Sequence, residues 1–354
     1  MHRPNPKYLN DEEEAMQSKA TRFRTTAALC AAALLAAGCT AMSDDKGGGD
    51  GGTVKLSFAN SYTPEHPHTR CGVEAVADDM REQDNGVEIE TFPNSQLGDD
   101  TARVTSVMDG DIDMDVQGSS ALAEVYAPIG VLDMAYAFDG PDQLFRFFDS
   151  DAGRELKDTF AEKTGMRVLD VWFFGMRHFS ANEPVREPGD LGGLRMRFPD
   201  SKVYLENAKA LGAKATTVAF EELYLSLQRG VVDGQENPIP TVVEMSMEEV
   251  QSHVSLTGHQ TGSQLIVVNE DSWQRLSGEQ RRALQKSVSG TRAENRECVE
   301  REEARILKQW AEKGKPEVVE DVDREAFRGK AEAYFTENLK GGQRELYDAV
   351  RAAG

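Results

Sequence analysis

From Val54 onward the chain alternates strand-type and helix-type patterns, and this rhythm restricts its fold more than any other feature. Val54-Lys55-Leu56-Ser57-Phe58-Ala59 alternates apolar and polar residues as a half-buried strand does, then ends at Asn60 before a Pro/His-rich loop. The pattern predicts a helix over 69–83, a strand over 87–92, a helix over 101–108 and a strand over 112–116. After a helical stretch at 141–163 the rhythm resumes. Strands are expected over 166–172, 194–198, 215–218 and 265–268, and helices over 201–211, 220–228 and 241–250. From Gly278 to Lys313 the pattern is helical, with Ser289-Gly290 as its weak point. A helix of about 50 Å is longer than one small domain needs, so it is expected to brace two. Repeated βαβ units mean an open α/β sheet, and 354 residues allow two such domains with a ligand cleft between them.

The segment before the body reads as a leader. Lys19, Arg22 and Arg24 precede an apolar Ala/Leu run at 27–37, too short for a membrane span, and translation is expected to start at Met16. Leu35-Ala36-Ala37-Gly38-Cys39 looks like a bacterial lipobox, with residues 1–38 removed as a lipoprotein signal peptide and Cys39 lipidated. Residues 39–53, carrying Lys46-Gly47-Gly48-Gly49-Asp50-Gly51-Gly52, read as a flexible tether. The body would then be extracytoplasmic, held on the outer face of the cytoplasmic membrane, or in a periplasm where an outer membrane exists. In that oxidising setting Cys71 and Cys298 either form a disulfide or remain two buried thiols.

Charge excludes one partner class. With 61 acidic against 40 basic residues the formal net charge is −21, and no run of five Lys or Arg interrupts it, so nucleic acid is not expected. No His-Glu-x-x-His, Gly-x-Ser-x-Gly, phosphate loop or Cys-x-x-Cys occurs. Glu65-His66-Pro67-His68 has no companion ligand cluster and reads as a surface loop, not a metal site. The sequence therefore predicts no enzyme, no metal and no cofactor. Two arginines stand out. Arg177 closes the apolar run Val171-Trp172-Phe173-Phe174, and in the strand after Pro188-Gly189-Asp190-Leu191 Arg197 points away from Met196 and Phe198. A guanidinium set into such a wall wants an anion, either a ligand carboxylate or a carboxylate of the protein.

The stretch Phe220-Glu221-Glu222-Leu223-Tyr224-Leu225-Ser226-Leu227-Gln228-Arg229-Gly230-Val231-Val232-Asp233-Gly234-Gln235-Glu236-Asn237-Pro238 adds a resemblance. Together with Pro188 to Arg197 and with Pro93-Asn94-Ser95-Gln96-Leu97-Gly98-Asp99, it is similar to the solute-binding subunits of TRAP (tripartite ATP-independent periplasmic) transporters, the DctP type. The resemblance runs from about Val54 to the C-terminus. It implies a two-domain periplasmic-binding-protein-like fold, with 54–174 plus 263–302 as domain I and 175–262 plus 303–354 as domain II. It also implies a monomeric receptor that captures a small carboxylate-bearing acid and hands it to TRAP permease subunits in the membrane. Service to another transporter or a sensor kinase, or an envelope enzyme, are the alternatives. Carried over by position, Arg197 would bridge the substrate carboxylate, Arg177 would be the second arginine, Phe220 would pack over the ligand and Asn237 would hydrogen-bond it. Asn60, Ser61, Gln117 and Ser119 would line the opposite domain, with Trp172, Phe174, Tyr136 and Phe138 as further wall candidates. Gly118 and Ala121 replace a charged pair of the sialic-acid-binding members, so a sialic acid is not expected.

Overall fold

The structure, a computed structural model, describes residues 53–354. The leader, Cys39 and the glycine-rich part of the tether lie outside the described residues. Among the described residues nine strands form one continuous sheet: β1 (Val54–Ala59), β2 (Val87–Phe92), β3 (Met114–Gly118), β4 (Met166–Ala181), β5 (Arg195–Phe198), β6 (Lys214–Thr217), β7 (Gly234–Pro238), β8 (His253–Asn269) and β9 (Glu317–Val319). Their order is β2-β1-β3-β8-β4-β7-β5-β6, with β9 also on β8. β1 pairs in parallel with β2 and β3, and β5 in parallel with β6 and β7. Each parallel set is one lobe.

The lobes are joined by two strands they share. β4 and β8 run antiparallel for 16 and 17 residues, from Met166 opposite Asn269 to Ala181 opposite His253. One end of β8 adds to β3, and the opposite end of β4 adds to β7. Midway, Gly175 faces Gly262 beside an irregularity in the ladder. Gly175 has φ +121°, and a Cβ there would lie 2.7 Å from the Pro238 Cβ, so only glycine fits.

Both shared strands exceed their expected ranges. The strand expected over 166–172 continues to Ala181, because Arg177 and His178 beyond the apolar run are buried and partnered. Residues 253–264 are rich in Ser, Thr, Gly and Gln, which resembles a loop, yet the sheet takes them up almost wholly buried. β7, Gly-Gln-Glu-Asn-Pro, carries no apolar alternation and was not expected. The helix expected over 241–250 is instead Ile239–Glu244 followed by a 3-10 turn at Met247–Glu249, because Ser246 adopts φ +52° between them. The stretch 141–163 is two helices, Pro141–Asp149 and Asp151–Thr164, separated where extended Ser150 accepts the Gly153 N–H.

The long helix Gly278–Lys313 is unbroken over 36 residues and begins at a Ser277/Gln280 capping box. Exposed Gly290 costs it about 1 kcal/mol. Packing outweighs that: Leu284 and Val288 enter an apolar cluster with Leu56, Phe58 and Trp172, while Ile306 and Trp310 enter another with Leu227, Val242 and Val254. One helix thus braces both lobes from one side of the sheet. A disulfide between Cys71 and Cys298, with Cα atoms 6.4 Å apart, fastens it to the start of the first helical segment. A third cluster, including Phe147, Phe148, Phe179, Phe198 and Phe327, draws on both lobes. Among the described residues no helix is long and apolar enough to cross a membrane.

Candidate functional site

In open α/β sheets the backbone leaves room for ligands beyond the carboxyl ends of parallel strands. Here the carboxyl ends of β1 and β3 in one lobe and of β5 and β7 in the other surround one cavity of about 610 Å³, its mouth included. β1 delivers Ser61 and Tyr62, and β3 delivers Gly118, Ser120 and Ala121. β5 delivers Arg197 and Pro199, β7 delivers Asn237, and the shared strands add Phe174, Arg177, Ser263 and Gln264. The lobes touch across the cleft. Ser95 donates to Glu221 at 2.9 Å, and the Thr63 N–H donates to Glu244 at 2.5 Å.

The two arginines play different parts. Arg177 donates through Nε to Glu236 Oε2 at 2.5 Å, and through Nη2 to Glu236 Oε1, the Glu236 carbonyl and Asn237 Oδ1 at 2.8–2.9 Å. Burial opposes its charge, but the Glu236 carboxylate prevails and holds the guanidinium above its usual range. It also lies 5.2 Å from the Tyr204 ring and 5.6 Å from that of Phe174. His259 lies 3.4 Å from Glu236, and burial holds the pKa of its imidazole below the ordinary value although Glu236 opposes this. Arg177 is therefore largely committed to a protein carboxylate.

Arg197 is not. It is 3% exposed, its Nε donates to the Val218 carbonyl at 2.9 Å, and no carboxylate among the described residues forms a salt bridge with it. Burial pulls its pKa down to about 10; Glu236 offsets part of this and Arg177 adds to it. A buried cation with unpaired Nη groups facing a cavity is an anion-binding device.

Six expected site residues meet in the cavity: Arg177, Arg197, Asn237, Phe220, Phe174 and Ser61. Asn237 is pinned, accepting from Arg177 and donating to Gln235 at 2.6 Å, which leaves one amide hydrogen for a ligand. Four others stand behind the wall. Asn60 shapes the turn by accepting from the Tyr62 N–H and the Thr69 hydroxyl. Gln117 donates to Asp115 and to the Asp100 carbonyl, and Ser119 is fully buried under the cavity floor. Trp172 lies in the core beneath the long helix, its Nε1 donating to the Val288 carbonyl at 3.4 Å. Tyr136 and Phe138 are likewise core. The His66/His68 segment is not a surface loop: both rings are buried, His66 stacks on Tyr62 and the two rings stack on each other, and among the described residues no metal-holding cluster occurs.

Sequence reasoning missed Tyr62, Asp100, Asp133, Tyr204, Ser263 and Gln264 as cavity residues. Asp133 closes an apolar 3-10 turn, and Gln264 lies in the polar half of β8 that reads as loop. Asp100 belongs to a buried network. Arg103 bonds Asp115, Asp100 and Ser61 together, and burial pushes the Asp115 carboxyl up to about 6 although Arg103 opposes it.

Comparison with known proteins places this geometry. The family model described as bacterial extracellular solute-binding protein, family 7, matches residues 58–340. The chain is 32% identical over 240 residues to the sialic acid-binding periplasmic protein SiaP of Vibrio cholerae, covering 68% of this chain and 75% of that protein. It is also 32% identical over 250 residues to the 2,3-diketo-L-gulonate-binding periplasmic protein YiaO of Escherichia coli, covering 70% and 76%. Among solved structures, a TRAP periplasmic solute-binding protein of a Polaromonas species bound to D-erythronate matches with TM-score 0.79 and 26% identity over 84% of this chain and 98% of that one. One from Roseobacter denitrificans with bound L-galactonate matches with TM-score 0.78 and 25% identity over 85% and 99%.

Proposed function

The chain belongs to the family 7 bacterial extracellular solute-binding proteins, and on that premise we propose that it is the receptor of a TRAP transporter for a small carboxylate-bearing organic acid. One observation carries the reading: Arg197, buried and without a carboxylate partner among the described residues, faces the cavity between the lobes. A ligand carboxylate on its Nη groups gives two parallel charge-assisted bonds and removes the penalty of an unpaired cation. The free amide hydrogen of Asn237 supports the same carboxylate, and Phe220 and Phe174 close over the ligand's carbon chain. Arg177, held by Glu236, contributes field and shape more than bonds. Micromolar binding requires about 8 kcal/mol, within reach of one guanidinium fork, a few hydrogen bonds and an apolar lid.

In this reading the lobes are 54–174 plus 263–302 and 175–262 plus 303–354, and they close by bending at the Gly175–Gly262 crossing. Closure then displays the paired surfaces to the permease. Lipidation of Cys39 would retain the receptor at the membrane; metabolic lipid labelling that is lost in Cys39→Ser tests that part. For the site, calorimetric titration with a panel of organic acids should find a ligand whose binding falls by at least 100-fold in Arg197→Ala. Equal affinity in the variant removes the assignment.

A further inference from the structure

The cavity walls carry opposite chemistry. On the β5–β7 side stand donors, the Arg197 Nη groups and the spare amide hydrogen of Asn237. On the side of the other lobe and of β8 stand acceptors. Asp133, 2% exposed, takes the Ser120 N–H and the Ser263 hydroxyl at 2.9 Å each, and no cation among the described residues forms a salt bridge with it. Gln264 is 5% exposed; its Nε2 donates to the Tyr62 hydroxyl at 2.8 Å, and its buried Oε1 has no hydrogen-bond partner among the described residues. A buried carbonyl left without a donor is destabilising, so the wall is suited to donors that arrive with the ligand.

The way out is acidic too. The cavity opens past Arg197, Pro199 and Phe220 into an outer cleft rimmed by Asp99, Glu124, Asp200, Glu221 and Glu222. A second anionic group on the ligand would meet carboxylates at the far wall and at the rim. An ammonium group would satisfy Asp133. Being donor-only, it would leave the hydrogen of the neighbouring Tyr62 hydroxyl without an acceptor. A hydroxyl both donates to Gln264 Oε1 and accepts from Tyr62.

We propose that the ligand is a hydroxylated monocarboxylate, its single carboxylate on Arg197 and its far hydroxyls, in place of a second anion, on Asp133 and Gln264. The proposal rests on Arg197 being the carboxylate anchor. It is tested by titrating the purified protein with chain-matched series: D-erythronate, D-ribonate and D-gluconate against succinate, glutarate and adipate, with γ-aminobutyrate as the ammonium-ended probe. The tightest hydroxylated acid should bind on the order of 100-fold more tightly than the dicarboxylate of its length and than γ-aminobutyrate. Asp133→Asn keeps an acceptor for the Ser120 N–H and offers a donor to a second carboxylate, so it should narrow the preference over the dicarboxylate by about tenfold. A dicarboxylate or γ-aminobutyrate binding as tightly as the hydroxylated acids, or no hydroxylated acid binding at all, overturns the proposal. Binding of any of these ligands that is unchanged in Arg197→Ala overturns the functional reading beneath it instead.

Discussion

Replacing Arg197 by Met should make the ligand-free protein more stable while abolishing binding. Burial brings the guanidinium well below its ordinary value, to about 10, which corresponds to roughly 3 kcal/mol of unfavourable charge burial at neutral pH. Because the folded-state pKa is depressed for a cation, that penalty is complete below about pH 10 and relaxes only as pH rises above it. Met keeps the unbranched stem and removes the charge. It also loses the bond from Nε to the Val218 carbonyl, about 1 kcal/mol. The net gain is about 1–2 kcal/mol, or about 2–5 °C in melting temperature for a chain of this size. Arg177→Met should act in the opposite direction. It strands Glu236 in the core, and breaking a buried pair costs about 3–5 kcal/mol. Calorimetric melting of both variants, refolded from denaturant to strip ligand, reads the two signs directly. If Arg197→Met melts several degrees lower and still binds ligand with unchanged affinity, Arg197 is a structural residue and the reasoning fails.

Glu244, whose side chain is 4% exposed, takes the Thr63 N–H across the cleft, and burial pushes its carboxyl from 4.5 up to about 7. For an acid raised in the folded state, stability is complete below pH 4.5 and is lost as pH rises through 7, so Glu244→Gln should gain up to roughly 3 kcal/mol on wild type between pH 5 and pH 8. Urea midpoints at the two pH values measure this, and an equal difference at both would refute it. Removing the disulfide with Cys71→Ser and Cys298→Ser together should cost roughly 5 kcal/mol in the chain-entropy model, given the sequence separation of 227; a denaturation midpoint within error of wild type contradicts that. Gly175→Ala meets both φ +121° and the Pro238 contact and should cost roughly 2–4 kcal/mol, whereas a loss below 0.5 kcal/mol would show that the crossing tolerates a side chain.

The residues that sequence reasoning found share a property: each stands out against its own neighbourhood. Arg177 ends an apolar run, Arg197 alternates with Met196 and Phe198, and Asn237 sits in a motif of fixed spacing. Asp133 and Gln264 have no such contrast, because their roles arise from which strand lies beside them. Gln264 faces the cavity because β8 crosses between lobes at Gly262, and nothing local in a Ser/Thr/Gln-rich stretch reveals that pairing. The parallel β1–β3 and β5–β6 units were legible because each carries its pattern within about 60 residues. The polar strand β7 and the full length of β4 were not. Their polar side chains are satisfied inside the protein by long-range partners, as Arg177 is by Glu236, so the usual equation of polar with exposed breaks down.

The placement of β8 also governs the order in which the molecule can be completed. Residues 253–269 supply the strand between β3 and β4 in one lobe and carry β9 in the other, so neither half of the sheet is finished until about three-quarters of the chain exists. Before that, β3 and β4 present bare edges, and the apolar floor of each lobe lacks the long helix that follows. Contacts this distant in sequence form late and slowly, since loop closure must precede them. A chain cut before residue 253 therefore yields two unfinished halves, not one stable lobe. The polypeptide therefore commits to its shape only once β8 and the long helix after it have followed.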